Sequence, residues 1–151
     1  MLNPKRVDME KIVSSSMCLE DTRAGRLSSA YRCLGGVLNA DDLASAMRRS
    51  FDQPVSVLAR SIVERRFVFF PVGTNFNVPC FQFEMDGWKV LPGVKLVLSE
   101  LLDVFDDTAL AEWFVQPNCW IQYRVPCLLA RVDVNAVRDA ARTARYIARG
   151  W

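Results

Sequence analysis

The chain has 151 residues, 51% of them apolar and 24% charged. That is enough for one core-forming domain, or for a small module joined to a medium one, and too apolar for wholesale disorder. It holds no histidine, which excludes Ser–His–Asp and Cys–His catalysis and any histidine-ligated metal, and its net charge of +2 carries no global basicity that would point to nucleic acid.

Residues 1–35 read as a flexible or partly helical N-terminal region. Ser14-Ser15-Ser16 and Asp21 to Gly25 break any long period, and a short helix through Leu27, Ala30, Tyr31 and Leu34 would stop at Gly35-Gly36. Nothing here resembles a signal peptide, because Lys5, Arg6, Asp8, Glu10 and Lys11 precede no apolar stretch. The five cysteines are odd in number and form no Cys-x-x-Cys, so full pairing within the chain is excluded. Both features point to a reducing cytoplasm, with most thiols buried among apolar neighbours. No run approaches the roughly 18 apolar residues of a membrane span.

Residues 36–83 read as a degenerate helix-turn-helix or winged-helix-like module. Asn39 can cap a helix over 40–49, with Asp42 as a short version of the capping-box acid and Leu43, Ala46 and Met47 on one face. Pro54 suits the first position of the next helix, where Val55, Leu58, Ala59 and Ile62 recur three and four apart. Phe67 to Phe70, a turn at Gly73-Thr74-Asn75 and a return over Phe76 to Phe83 predict a hairpin, with Phe81 and Phe83 on one strand face and Gln82 on the other.

Residues 84–151 read as a helical domain, so the fold class is mainly α with one short β-hairpin. Pro92 opens a helix burying Val94, Val97, Leu98, Leu101, Leu102 and Phe105. Asp106 caps another carrying Leu110, Ala111, Trp113 and Phe114 up to Pro117-Asn118. Trp120 and Ile121 follow in a loop, Pro126 to Leu129 form an apolar turn, and Asp133 caps the last helix. There Val134, Val137, Ala141, Ala144, Ala148 and Trp151 form an apolar stripe. Arg138, Arg142, Arg145 and Arg149 form a second stripe about 100° round the axis.

Charge is segregated. Residues 1–66 carry net +3, residues 84–112 net −5 and residues 124–151 net +4. The acidic middle and basic tail can attract each other, or each can meet a partner. The arginine stripe fits a solvated helix face, a protein partner or a phosphate backbone. Gln53, Ser56, Arg60 and Arg65 are the candidate DNA-binding residues, since Gln can read adenine, Arg guanine, and Ser a phosphate. A helix-turn-helix degenerated for packing or dimerisation fits the same segment. Catalysis has little support: Asp106-Asp107 suits a helix start, Glu100 and Asp103 have no companion ligand cluster, and no Gly-rich phosphate loop is present. No catalytic residue, metal or cofactor is assigned.

Over residues 36–149, and most closely over 79–145, the chain resembles antitoxins of the Xre–MbcA–ParS type with a C-terminal toxin-binding domain. The resemblance rests on Pro79-Cys80-Phe81-Gln82-Phe83, on Gly87 and the Leu-rich helix from Pro92 to Leu102, and on Trp113-Phe114 with Pro117-Asn118. It continues through Trp120 to Leu129 and the closing Asp133, Val137, Ala140, Ala141 and Ala144. The family's Gly between the Trp and the Pro is missing, and Gln122, Tyr123 and Arg124 fill that stretch. The resemblance implies a cytoplasmic antitoxin that performs no chemistry and binds an NAD-consuming toxin with an Arg–Glu–Ser (RES) type fold. It would block the toxin's active-site entrance sterically. The toxin-binding candidates are Arg138, Arg142, Arg145, Arg149, Trp151, Trp120 and Tyr123. The resemblance also implies repression of its own operator DNA, as a homodimer within a hetero-oligomer. A free-standing DNA-binding regulator and a non-catalytic interaction adaptor are the alternatives.

Overall fold

The computed structural model describes residues 22–150; the expectations for 1–21, Cys18 and Trp151 fall outside them. The fold is mainly helical, with a small three-stranded antiparallel sheet. Helix α1 covers 22–32, and the chain leaves it through Gly35 and Gly36 at φ 100° and 81°, a left-handed exit that glycine takes without strain. Strand β1 (Val37–Asn39), helix α2 (Ala40–Met47), helix α3 (Pro54–Val63), strand β2 (Phe70–Val72) and strand β3 (Asn75–Pro79) follow.

The sheet order is β1-β3-β2, with Leu38 opposite Val78 and Pro71 opposite Phe76. Helices α2 and α3 lie in sequence between the first strand and the hairpin that completes the sheet, and α2 packs on β1, β3 and α3. Asn39 ends β1 and caps α2: its Oδ1 accepts from the Asp42 N–H at 2.8 Å, and its Nδ2 donates to the Asp42 carboxylate at 2.9 Å. The N-cap forms as expected, but the capping box does not close, because the Asp42 carboxylate takes the Asn39 side-chain amide and not its backbone N–H. Helix α2 stops at Met47, two residues before Arg49, because the Ser50 and Phe51 amides both turn back to the Met47 carbonyl.

The second half holds α4 (Pro92–Leu101), α5 (Asp107–Val115), the single-turn α6 (Pro126–Leu129) and α7 (Val134–Arg149). Asp106 and Asp133 cap α5 and α7 by accepting the Ala109 and Ala136 amides at 2.7 and 3.1 Å. Pro92 and Pro126 open their helices, where a missing N–H leaves nothing unpaired.

Two clusters of buried side chains hold the molecule. The smaller joins Leu43, Met47, Leu58, Phe67, Phe69, Val78 and Phe83. The larger joins Ala24, Leu27 and Tyr31 of α1 to Val68, Phe70 and Phe81, and to the inner faces of α4 to α7. It therefore draws on all three segments into which the sequence divides. Tyr31 sits at its centre, stacked between Phe70 and Phe81, its hydroxyl donating to the Ala111 carbonyl at 2.6 Å.

The run 67–70 explains its own composition. Phe67 and Phe69 enter the smaller cluster while Val68 and Phe70 enter the larger one. The segment is buried on both faces, so no polar residue interrupts it. The expected hairpin is present but shorter: β2 begins only at Phe70 and β3 ends at Pro79. Cys80–Gln82 is a 3-10 turn, so Phe81 and Phe83 do not share a strand face and join different clusters.

Gln82 fills the seam between the clusters and is fully buried. Its Oε1 accepts the Val68 N–H at 2.7 Å, and its Nε2 donates to the Val68 and Pro79 carbonyls, both at 2.8 Å. The side chain replaces a strand partner for Val68, whose backbone pairs with no strand.

Candidate functional site

Helix α7 organises the C-terminal surface. Val137, Ala140 and Ala141 are buried, and the helix packs on α4. Alanine at these positions lets the two helices approach closely. The arginine stripe lies along the same seam. Arg142 donates to Glu100 Oε1 through Nε at 3.2 Å and Nη2 at 3.0 Å, and Arg145 pairs with the other oxygen of this buried carboxylate. Arg149 lies 3.6 Å from Asp103, and Arg138 pairs with Asp139 at 3.1 Å. The acidic middle and the basic tail therefore meet each other. Every arginine of the stripe already faces a carboxylate, and Arg142 and Arg145 hold α7 on α4 instead of waiting free for a partner.

The uncommitted surface is aromatic and aliphatic. Asn118 anchors the loop before α6: its Oδ1 accepts the Trp120 N–H at 2.9 Å, its carbonyl accepts the Tyr123 N–H at 2.8 Å, and its own N–H donates to the Arg124 carbonyl at 3.0 Å. This ties a turn in which Gln122 and Tyr123 both take left-handed φ, 60° and 59°. Non-glycine residues there carry a local conformational cost. The turn is built without a glycine and places a phenol outside. Trp120 is 60% exposed and Tyr123 74%.

Beside this loop, Tyr146 and Ile147 of α7 are about half exposed. The Arg145 guanidinium lies 5.5 Å from the Tyr146 ring centroid. Phe105, Trp113, Pro117, Trp120, Ala144 and Ile147 line a groove of about 360 Å³ between the loop and the end of α7. Sequence reasoning singles out Trp120 and misses Tyr146 and Ile147. The available signal was two bulky residues on a helix whose other apolar positions are alanine or valine.

The DNA candidates separate. Gln53, Ser56 and Arg60 are exposed at the start and on the outer face of α3. Arg65 is not available: at φ 49° it turns inward, and its Nε reaches Asp107 at 2.8 Å while Nη1 and Nη2 donate to the Leu102 and Phe105 carbonyls at 2.8 and 2.7 Å. It satisfies the Leu102 carbonyl, left open at the C-terminus of α4, and the Phe105 carbonyl in the loop beyond. Val55 and Ala59 are also exposed, contrary to the expected apolar face; the buried side runs through Leu58, with Val57 and Ile62 partly covered. Arg65→Ala is expected to destabilise the fold by about 2 kcal/mol, since charge-assisted hydrogen bonds are removed. Arg60→Ala should leave the melting temperature unchanged. Thermal melts of the two variants check both.

The thiols also divide. Cys33 and Cys119 are exposed, Cys80 is half-buried and Cys127 buried, so the expectation of mostly buried thiols does not hold. Burial raises the Cys80 thiol pKa and pushes that of Cys127 up to about 11. Iodoacetamide at neutral pH should therefore modify Cys33 and Cys119 within minutes and spare Cys127 until the protein unfolds, as peptide mass mapping would register. Among the described residues no group of three or more Cys, Asp and Glu is placed to hold a metal ion, and no helix is long and apolar enough to cross a membrane. No family model, no curated protein and no solved structure matches the chain.

Proposed function

We propose that the chain is a cytoplasmic antitoxin that binds an NAD-consuming, RES-type toxin and blocks its active site sterically, without chemistry of its own. The observation that carries this reading is the aromatic loop Trp120–Tyr123, set beside the open groove at the end of α7. Large aromatic side chains held by a rigid turn are the usual anchors of a protein interface. Trp120 and Tyr123 are the primary contacts. Arg138 and Arg149, at the two ends of the stripe and paired only with exposed carboxylates, are the rim. Arg142 and Arg145 shape the surface from beneath.

The winged-helix half supports a second activity, repression of the operator. Gln53, just before α3, and Ser56 and Arg60 on it present polar groups at the position of a recognition helix. The exposed Val55, Ala59 and Val63 on the same helix, one turn apart, favour a homodimer contact alongside it. A free-standing regulator would use this half alone.

Co-expression of the chain with the product of the adjacent gene tests the principal reading. A stable complex that relieves growth arrest, and is lost with Trp120→Ala or Tyr123→Ala, is the expected result. Operator binding by a chain that captures no toxin would replace it with the free-standing regulator.

A further inference from the structure

A second opening lies between the two halves of the molecule and shares no lining residue with the groove beside the aromatic loop. It has a volume of about 550 Å³, in the size range of small-molecule sites. Its walls are apolar: Leu43 and Met47 of α2, Phe67, Phe83, Trp88 and Leu98 of α4. Trp88 stands edge-on to Phe83 at 5.4 Å between ring centroids, held there by a left-handed backbone at φ 58°.

Charge at this opening is one-sided. Arg65, Arg66, Lys89 and Lys95 line it with Glu64 as the single acid. Arg65 is engaged by Asp107, and Arg66 by Glu64. Lys89 and Lys95 are exposed, and among the described residues neither makes an ion pair. The opening therefore joins an apolar interior to two uncommitted ammonium groups. Ammonium groups act as point charges without the planar fork of arginine, so they accept a carboxylate in any orientation. The apolar walls offer a long hydrocarbon tail its lining, and the Ser61 and Ser99 hydroxyls beside them already donate to the Val57 and Leu96 carbonyls.

We propose that this opening binds a single-chain aliphatic carboxylate, its tail on the order of ten carbons long, with the tail between α2 and α4 and the carboxylate at Lys89 and Lys95. The assignment is independent of the toxin-binding reading, since none of the toxin-binding candidates lines this opening.

Decanoate below its micellar concentration is the probe, titrated into the full chain by calorimetry and by tryptophan fluorescence. Saturable one-to-one binding is expected, with a change in emission that disappears in Trp88→Phe while the heat of binding persists. The double variant Lys89→Glu, Lys95→Glu, both on exposed side chains, should bind decanoate at least about tenfold more weakly. Decyltrimethylammonium should bind the native chain correspondingly poorly. No saturable decanoate binding would overturn the assignment. So would equal affinity in the double variant, or equal affinity for the cationic amphiphile.

Discussion

Gly93→Ala is expected to destabilise the protein by about 3 kcal/mol or more. Within a helix this exchange ordinarily helps, since alanine is the better helix former by about 1 kcal/mol. Here the sign reverses. Gly93 lies in the first turn of α4, and a Cβ built there would stand 2.3 Å from the Ala130 carbonyl oxygen and within 3.3 Å of two further backbone atoms of Ala130. The obstacle is main chain just beyond α6 and cannot rotate aside, so α4 must shift away from it. That shift would disturb Val94, Val97 and Leu98, all buried in the larger cluster. A fall in denaturation midpoint with an unchanged slope would mark a loss of stability alone. A stabilised variant would mean that α4 and α6 are not apposed as described.

Gln82→Leu is expected to cost on the order of 3–5 kcal/mol, although leucine is the more hydrophobic residue. The side chain satisfies the Val68 N–H, the Val68 carbonyl and the Pro79 carbonyl inside the protein. Leucine leaves all of them without that partner, and each unmade buried bond costs about 1–3 kcal/mol. Set against a typical net stability of about 5–15 kcal/mol, much of the native population is at risk. Gln82→Glu should be nearly as harmful, because a carboxylate cannot donate to the two carbonyls. Equilibrium urea unfolding of both variants gives the magnitudes.

Gln82 and Arg65 mark where sequence reading stops. The caps at Asn39, Asp106 and Asp133 and the helix starts at Pro54 and Pro92 are legible because each involves a side chain and backbone within a few residues; the segment from Pro126 reads only as an apolar turn and is a single helical turn. Gln82 reaches back to Val68, and Arg65 forward to Leu102, Phe105 and Asp107. Nothing local announces such partners, so Gln82 reads as the outer face of a strand and Arg65 as a free cation. The run 67–70 misleads in another way. Its alternation is real, but both faces are buried, so the eye finds a strand where most of the segment has no strand partner.

The candidate surface was half legible for the same reason. Trp120 and Tyr123 stand out as large aromatics in a loop, and they are exposed. The arginine stripe was equally visible, yet its period cannot distinguish solvent from an acidic neighbour. Glu100 in the last turn of α4 and Asp103 just beyond its end supply that neighbour. The groove needed Phe105, Trp113 and Ile147 brought together from separate helices and the loop after α4, which only the packing of α5 and α7 achieves.

This packing decides how the central claim is tested. Removing residues 138–151 would delete Ala140 and Ala141 from the larger cluster and both partners of Glu100. A lost complex would then report only a damaged fold. Single exposed substitutions avoid this. The decisive measurement is quantitative co-purification of the adjacent-gene product with the native chain, Trp120→Ala and Tyr123→Ala, each first shown to melt at the native temperature. The account predicts capture by the native chain and at least about tenfold weaker capture by each variant, as for interface anchors. Undiminished capture by both folded variants would contradict it.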